Sequence, residues 1–532
     1  NYPNSSAITI ARYKLAWVHI NKKNFPKAIA LLEKSVKVST EVGDDSVDTY
    51  SRVDVRLEAL NDIAFIYSDH YKKRKPEETL SYFREYAWSR PVYLGVLEKL
   101  AYRYLIKKKW AHYAAIYREL AVIQQKPTKL LEYAESLYTT TRHLKDYTNA
   151  DIDVEHIAAA LNRIRYSIYF SDDDKSRYEK TFEVYARDMA TQLHDLTKIT
   201  KKVEDFSRAA DAYESYLSFF DKSQDYQKMN VNYAETLFLS KRYVKAGKVY
   251  EELALNTADG VKKEGFLYSA TLSYYSSLKE NRETLNYYEI VQSQSGLSST
   301  GELYASTYPE SKKTSNVLFN VAWIKYDEGK YDEAIEKFLA FVDRFPNGPE
   351  ADAAVQLSVD AFHAMDDYEG LIEFGLRIAA HAGLGKSIKN EVAKVVATAE
   401  SKVVSNLTIA SMDDWESGKE DLLEYAQSHE SSSLGEAALK ALFVSSKEKN
   451  DIESMQIAGN NYINKYPKFE ESKDVLNIMI EAAIRTNQYR VLVDNLEDYA
   501  SIYPSDANAI DFLYQAARIR EDMAEYGLAH NN

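Results

Sequence analysis

The chain has 532 residues, 45% hydrophobic and 28% charged, with only 17 Gly and 10 Pro, a composition that excludes a disordered chain. It contains no Cys, which removes disulfides, thiolate metal sites and cysteine nucleophiles, and no run of about 18 apolar residues that could cross a bilayer as a helix. The net charge of −14 divides unevenly, +8 over residues 1 to 150 and −22 over the remainder, which makes nucleic acid a poor partner for the acidic majority.

Tyr2-Pro3-Asn4-Ser5 opens the chain and is followed by Leu15-Ala16-Trp17 and Ala28. A start on what looks like a helix terminator suggests removal of a signal sequence and upstream repeats. A helix pair is expected from Arg56 to Trp88, with the Lys72 to Pro76 run at its turn, and another from Val92 to Gln124, with Lys107 to Lys109 at its turn. Both basic turns would share one edge. Residues 1–126 therefore form a basic N-terminal segment. Residues 127–200 keep helical periodicity but lose regular spacing, and are expected to form an irregular joint or longer helices, with Asp172-Asp173-Asp174 at a helix start or loop.

Regular spacing returns over 201–292, where Tyr243 and Ala246 lie 37 residues beyond Phe206 and Ala209. Helices are expected over Phe266 to Leu278 and Thr284 to Val291. The Ser-rich stretch Ser293 to Ser299 then leads into the most regular unit, within segment 293–386. In that unit Val317, Val321 and Ile324 mark one apolar helix face, and Ala334, Ile335, Phe338 and Phe341 mark a second. Gly329 supplies the turn between them and Pro346 ends the second helix. A pair over Pro349 to Met365 and Tyr368 to Ala380 follows. The last segment, 387–532, is partly irregular, but Pro467 and Pro504 repeat the 37-residue interval of Pro309 and Pro346.

Val321, Ala322, Gly329, Tyr331, Ala334, Phe338 and Pro346 resemble the tetratricopeptide repeat, a helix-turn-helix unit with small and aromatic residues at fixed offsets. Lys325 departs from it, since an aromatic is usual there. The resemblance implies an all-α, right-handed α-solenoid, a superhelix of antiparallel helix pairs that stack to bury their apolar faces. It further implies a groove lined by the first helix of each pair. On this chain the family's groove offsets fall on Tyr13, Trp17, Asn21, Phe319, Trp323, Tyr326 and Asp327. Whether the two Trp side chains bind a partner or wedge between helices stays open. The 43 Tyr fit a role in packing between helices.

No catalytic constellation stands out. Gly383-Leu384-Gly385-Lys386-Ser387 ends like a phosphate-binding loop, but Ala380 stands where that loop needs Gly, and the preceding segment has helical periodicity. Asp151, Asp153 and Glu155 alternate like a calcium loop, yet His156 replaces the turn Gly, so a helix start is expected. The ten His form no metal-ligand pair. Asn4 and Asn406 begin glycosylation triplets, which matter only in a glycosylating host. No enzyme activity, cofactor or metal is expected; the partners are other proteins.

Tyr2-Pro3-Asn4-Ser5, Tyr13 to Trp17, Arg56 to Asp62 and Tyr82-Phe83 together resemble large envelope tetratricopeptide proteins of deltaproteobacteria, some of them in gliding-motility machinery. That implies a periplasmic or outer-membrane-associated scaffold, joined to the membrane only through an anchor absent from this chain. The alternatives are the helical arm of a peptidoglycan-active enzyme and a cytoplasmic peptide-binding regulator.

Overall fold

The computed structural model describes residues 8–37, 54–430, 432–465, 467 and 470–532. The Tyr2-Pro3-Asn4-Ser5 motif and Tyr466 lie outside them. The described residues form 26 α-helices and no strand. Short turns make successive helices antiparallel partners, as expected of an all-α, tetratricopeptide-like α-solenoid.

Two compact units, Asn1–Ser311 and Lys312–Asn532, divide the chain. The first contains seven pairs: α1 (Ile8–Asn21) with α2 (Phe25–Lys37), α3 (Arg56–His70) with α4 (Pro76–Tyr86), α5 (Arg90–Ile106) with α6 (Trp110–Ile123), α7 (Pro127–Leu144) with α8 (Ala150–Arg165), α9 (Asp172–Thr200) with α10 (Val203–Phe219), α11 (Tyr226–Leu239) with α12 (Tyr243–Asn256), and α13 (Gly260–Glu280) with α14 (Tyr287–Thr307). The second contains six: α15 (Thr314–Asp327) with α16 (Tyr331–Arg344), α17 (Ala351–Ala364) with α18 (Tyr368–Ala380), α19 (Lys386–Asp413) with α20 (Trp415–Ser428), α21 (Ser433–Lys449) with α22 (Ile452–Lys465), α23 (Glu470–Arg485) with α24 (Tyr489–Ile502), and α25 (Ala509–Asp522) with α26 (Tyr526–Asn531).

The small-residue positions behave as steric logic requires. Ala16, Ala28, Ala64, Ala101, Ala322 and Ala334 are fully buried, which lets neighbouring helices approach closely. Gly329 adopts φ 74° in the α15–α16 turn, a conformation that costs other residues a steric clash. The stretch 127–200 continues the stack as α7, α8 and the 29-residue α9, whose first turn is Asp172-Asp173-Asp174; Ser171 caps it by accepting the Asp174 amide at 3.1 Å. The Gly383 to Ser387 stretch is a loop that enters α19 at Lys386.

The helix expected over Thr284 to Val291 runs further than that: α14 extends from Tyr287 to Thr307 and includes the Ser-rich stretch Ser293 to Ser299. Its small side chains allow close packing on α13: Ser277 Oγ donates to Ser293 Oγ at 2.7 Å and Thr271 Oγ1 to Thr300 Oγ1 at 3.0 Å, so the buried hydroxyls satisfy one another. Gly296 abuts the Tyr274 ring.

The tyrosines explain themselves in the same terms. A buried phenol needs a partner for its O–H, and neighbouring helices of this acidic chain supply carboxylates. Tyr82 donates to Glu33 at 2.8 Å, Tyr274 to Glu251 at 3.0 Å, Tyr243 to Glu280 at 2.8 Å and Tyr216 to Glu183 at 2.6 Å. Burial, reinforced by these carboxylates, pushes the four phenol pKa values well up, so the hydroxyls stay protonated donors.

Helix ends share a device. An aromatic at position i buries its ring in the last turn, the aromatic at i+4 leaves the helix, and the side chain at i+7 bonds back to the first. Tyr304 Oη and Ser311 Oγ meet at 2.9 Å, Tyr216 Oη and Ser223 Oγ meet at 2.9 Å, Tyr499 donates to Asp506 at 3.0 Å, and Arg74 donates to Tyr67 at 2.9 Å. The backbone follows the same path at each, for example Tyr503 N to Tyr499 O at 2.8 Å and Asp506 N to Tyr503 O at 3.0 Å. Proline marks this turn at Pro309 and Pro504 but is not required at Phe220 or Tyr71.

Candidate partner-binding surface

An aliphatic–Ala–aromatic triplet recurs on first helices: Leu15-Ala16-Trp17 on α1, Ile63-Ala64-Phe65 on α3, Leu100-Ala101-Tyr102 on α5 and Val321-Ala322-Trp323 on α15. In the first unit the Ala turns inward and the next side chain, about 100° further round the helix, turns out. Trp17 is 41%, Phe65 50% and Tyr102 61% exposed, although each follows a fully buried Ala. Three successive first helices thus each present an aromatic ring to solvent. Large exposed rings on equivalent positions of stacked helices make this face the candidate for partner recognition.

Charged groups frame the rings. The Arg103 guanidinium lies 3.9 Å from the Phe65 ring centroid and donates to the Phe65 carbonyl at 3.2 Å; Arg103 and Lys107 both pair with Asp69. Asp62 on α3 neighbours Tyr13 and Trp17 of α1. Burial raises its carboxyl pKa above the ordinary carboxylate range, while the polar tips of Tyr13 and Trp17 pull the other way. Its Oδ2 is buried and makes no hydrogen bond. The Tyr13 phenol is likewise raised, first by burial.

The sequence-derived groove residues separate into two groups. Tyr13, half-buried, and Trp17 and Asn21, both exposed, lie at four-residue intervals along α1, the first two beside Asp62. On α15, Phe319 and Trp323 are each only 8% exposed. Phe319 packs against Phe338 and Phe341 of α16, with centroids 5.8 Å away in each case, so its area is used inside the second unit. Tyr326 is half-buried against Tyr331, and Asp327 is half-buried beside it. Phe65, Tyr102 and Asp62 were not among the predicted residues. Aligning the four triplets on their Ala would have found the first two; nothing in the sequence signals Asp62, which reaches Tyr13 and Trp17 only once α3 packs.

A separate open cleft of about 490 Å³ lies over α4, α6 and α8. Two of its charged lining residues are paired with neighbours outside it: Arg118 grips Asp153 with two bonds of 2.7 Å, and Glu119 accepts from Arg84 at 2.6 Å and Tyr93 at 3.1 Å. Asp151 and Asp153, the apparent calcium-loop residues, instead hold α8 to α10 and α6 through Arg208 and Arg118. His156 is pushed below its ordinary pKa by burial, which leaves it neutral near pH 7. Among the described residues no group of His, Cys, Asp or Glu is placed to hold a metal ion, and no helix is long and apolar enough to cross a membrane.

Residues 316–348 match the tetratricopeptide repeat family, which makes the α15–α16 unit a repeat of that type. No curated protein matches the chain in sequence. Among solved structures it is similar to a chain of the Naa15/Naa10 complex bound to HypK-THB, at 14% identity and a TM-score of 0.29, covering 89% of this chain and 67% of that one. It is also similar to a chain of the APC/C hetero-tetramer Cut9-Hcn1, at 11% identity and a TM-score of 0.19, covering 95% of this chain and 89% of that one.

Proposed function

We propose that this protein is a non-enzymatic interaction scaffold whose first unit binds a partner protein along α1, α3 and α5. The observation that carries this is the row Trp17, Phe65 and Tyr102, three exposed rings in equivalent positions on successive first helices. A peptide or helix with apolar side chains at matching intervals would bury the rings. Tyr13 and Asn21 flank the α1 end of this surface. In the second unit, Tyr326 and Asp327 remain candidates for partner contact, while Phe319 and Trp323 would join only if α15 moved.

The setting we propose is extracytoplasmic, in a bacterial envelope complex and with gliding-motility machinery as one candidate, supported by the likeness of residues 2–5, 13–17, 56–62 and 82–83 to envelope proteins of that kind. The test is affinity capture from envelope extracts with the intact chain and a Trp17→Ala/Phe65→Ala/Tyr102→Ala variant. Partners recovered by the first and lost by the equally folded second support the surface; identical partners would remove it. A full gene sequence without an export signal would remove the envelope setting.

A further inference from the structure

The turn inside a helix pair repeatedly needs one residue in the left-handed region, and the two units fill that position differently. In the second unit it is Gly329, Asp366, Asn450, Asn487 or Ala524. Gly, Asn and Asp are the residues that tolerate this conformation best. In the first unit it is Lys23, Lys108, Lys145, Lys201 and Lys241, with φ between 52° and 63°. Lysine has no conformational advantage there, and the second unit demonstrates that the turn does not require it. Lys23, Lys108, Lys145 and Lys201 are exposed, and no ion pair ties them to a carboxylate among the described residues; Lys241 lies 3.5 Å from Glu280.

A second feature accompanies the lysines. At four successive pairs the first helix ends on an exposed aliphatic side chain one or two residues before the left-handed lysine: Ile106 before Lys108, Leu144 before Lys145, Ile199 before Lys201 and Leu239 before Lys241. Ile199 is 80% exposed. Because every one of these turns follows the first helix of its pair, the alternation of helix direction places them on one edge of the first unit. Lys22, Lys109 and Lys202 of the same turns, and Lys72, Lys73 and Lys75 of the α3–α4 turn, add to that edge.

We infer that this edge of the first unit docks on an anionic phospholipid surface, with the lysines at the headgroups and Ile106, Leu144, Ile199 and Leu239 dipping into the interfacial layer. Lysines alone would fit any polyanion. The aliphatic neighbour at each turn has no counterpart on a nucleic-acid backbone, whereas a bilayer offers negative charge and an apolar layer together, with no register to match along four pairs. Lysine rather than arginine also fits attraction to diffuse surface charge, which needs no bidentate geometry.

The test is co-sedimentation of the full chain with phosphatidylcholine vesicles, with and without phosphatidylglycerol, across a salt series. Binding only to the vesicles containing phosphatidylglycerol, weakened by salt, is expected. A Lys23→Asn/Lys108→Asn/Lys145→Asn/Lys201→Asn variant keeps the turn conformation with a better-suited residue; it should melt no lower than the parent yet bind roughly tenfold more weakly or worse. Ile106→Ser/Ile199→Ser should weaken binding with the salt dependence retained. Unchanged binding by the lysine variant would overturn the inference, as would absence of binding to either vesicle. Selective binding of polyglutamate or duplex DNA in place of vesicles would also overturn it and assign the edge to that polymer.

Discussion

Arg118 and Asp153 form a two-bond ion pair between α6 and α8, with Asp153 1% exposed. Removing Asp153 leaves the Arg118 guanidinium, 20% exposed at the cleft, without its partner; breaking a fully buried pair costs about 3–5 kcal/mol, so the low end of that range, about 3 kcal/mol, is expected. Asp153→Ala should therefore lower the midpoint of first-unit unfolding in urea by that equivalent. Arg118→Met/Asp153→Leu, which removes both charges and keeps apolar volume, should recover most of the loss. A double variant no more stable than the single one would mean that the pair is not the source of the effect.

Tyr274 sits with Gly247 of α12 on one side of its ring and Gly296 of α14 on the other. A Cβ at Gly296 would fall 2.5 Å from Tyr274 Cε2, and one at Gly247 would fall 2.6 Å from Cε1. Ala is the better helix former by about 0.8–1.0 kcal/mol, but overpacking costs about 1–3 kcal/mol and should win here. Gly296→Ala is expected to destabilise. Gly265→Ala on α13, where a Cβ would meet nothing within 4 Å, is expected to stabilise. Differential thermal melts of the two variants check both signs.

The same glycine explains what the sequence could not convey. Ser, Gly and Thr between residues 293 and 301 have the composition of a linker, and their burial follows only from the small-residue face of α13 opposite them. Local signals fared better where steric demands are local: Gly329, Pro346, Ala16 and Ala322 could be placed from spacing alone, because a turn angle or a close helix approach admits few residue types. The aromatic turn lock was visible at Tyr308-Pro309 and Tyr503-Pro504. It was hidden at Tyr216 and Tyr67, since hydrogen bonding to the i+7 side chain, not proline, closes it. Trp17 and Trp323 show the limit for the candidate surface. Both follow a buried Ala, and which ring stays exposed depends on neighbouring helices that spacing does not describe.

Asp451 ties the start of α22 to α20. It accepts the Ser454 amide at 3.0 Å, the Ser454 hydroxyl at 2.9 Å and Trp415 Nε1 at 3.0 Å, with Lys419 3.3 Å away. Partial burial opposes the charge, but these donors outweigh it and hold the carboxyl at about 2. An unfolded Asp titrates near about 3.9. The folded value is the lower one, so this contribution is complete above about pH 4 and is lost as pH falls toward about 2. Between those values the melting temperature of the parent should fall further than that of Asp451→Asn. Parallel curves for the two proteins would show that Asp451 does not carry this dependence.

Trp17 and Trp323 occupy the same place in their triplets but differ in burial, 41% against 8% exposed. Trp323→Ala removes a ring enclosed in the second unit, and a buried aromatic replaced by Ala costs about 3–5 kcal/mol. Trp17→Ala loses only partial burial, so a cost of about 1–2 kcal/mol is expected. Partner capture should show the reverse order. Trp17→Ala should reduce recovery of first-unit partners, whereas a Trp323→Phe variant, which keeps most of the packing, should leave recovery unchanged. Equilibrium unfolding and capture on the same preparations separate the two roles. If Trp17→Ala proved as destabilising as Trp323→Ala and left recovery intact, Trp17 would be a packing residue and the surface would rest on Phe65 and Tyr102 alone.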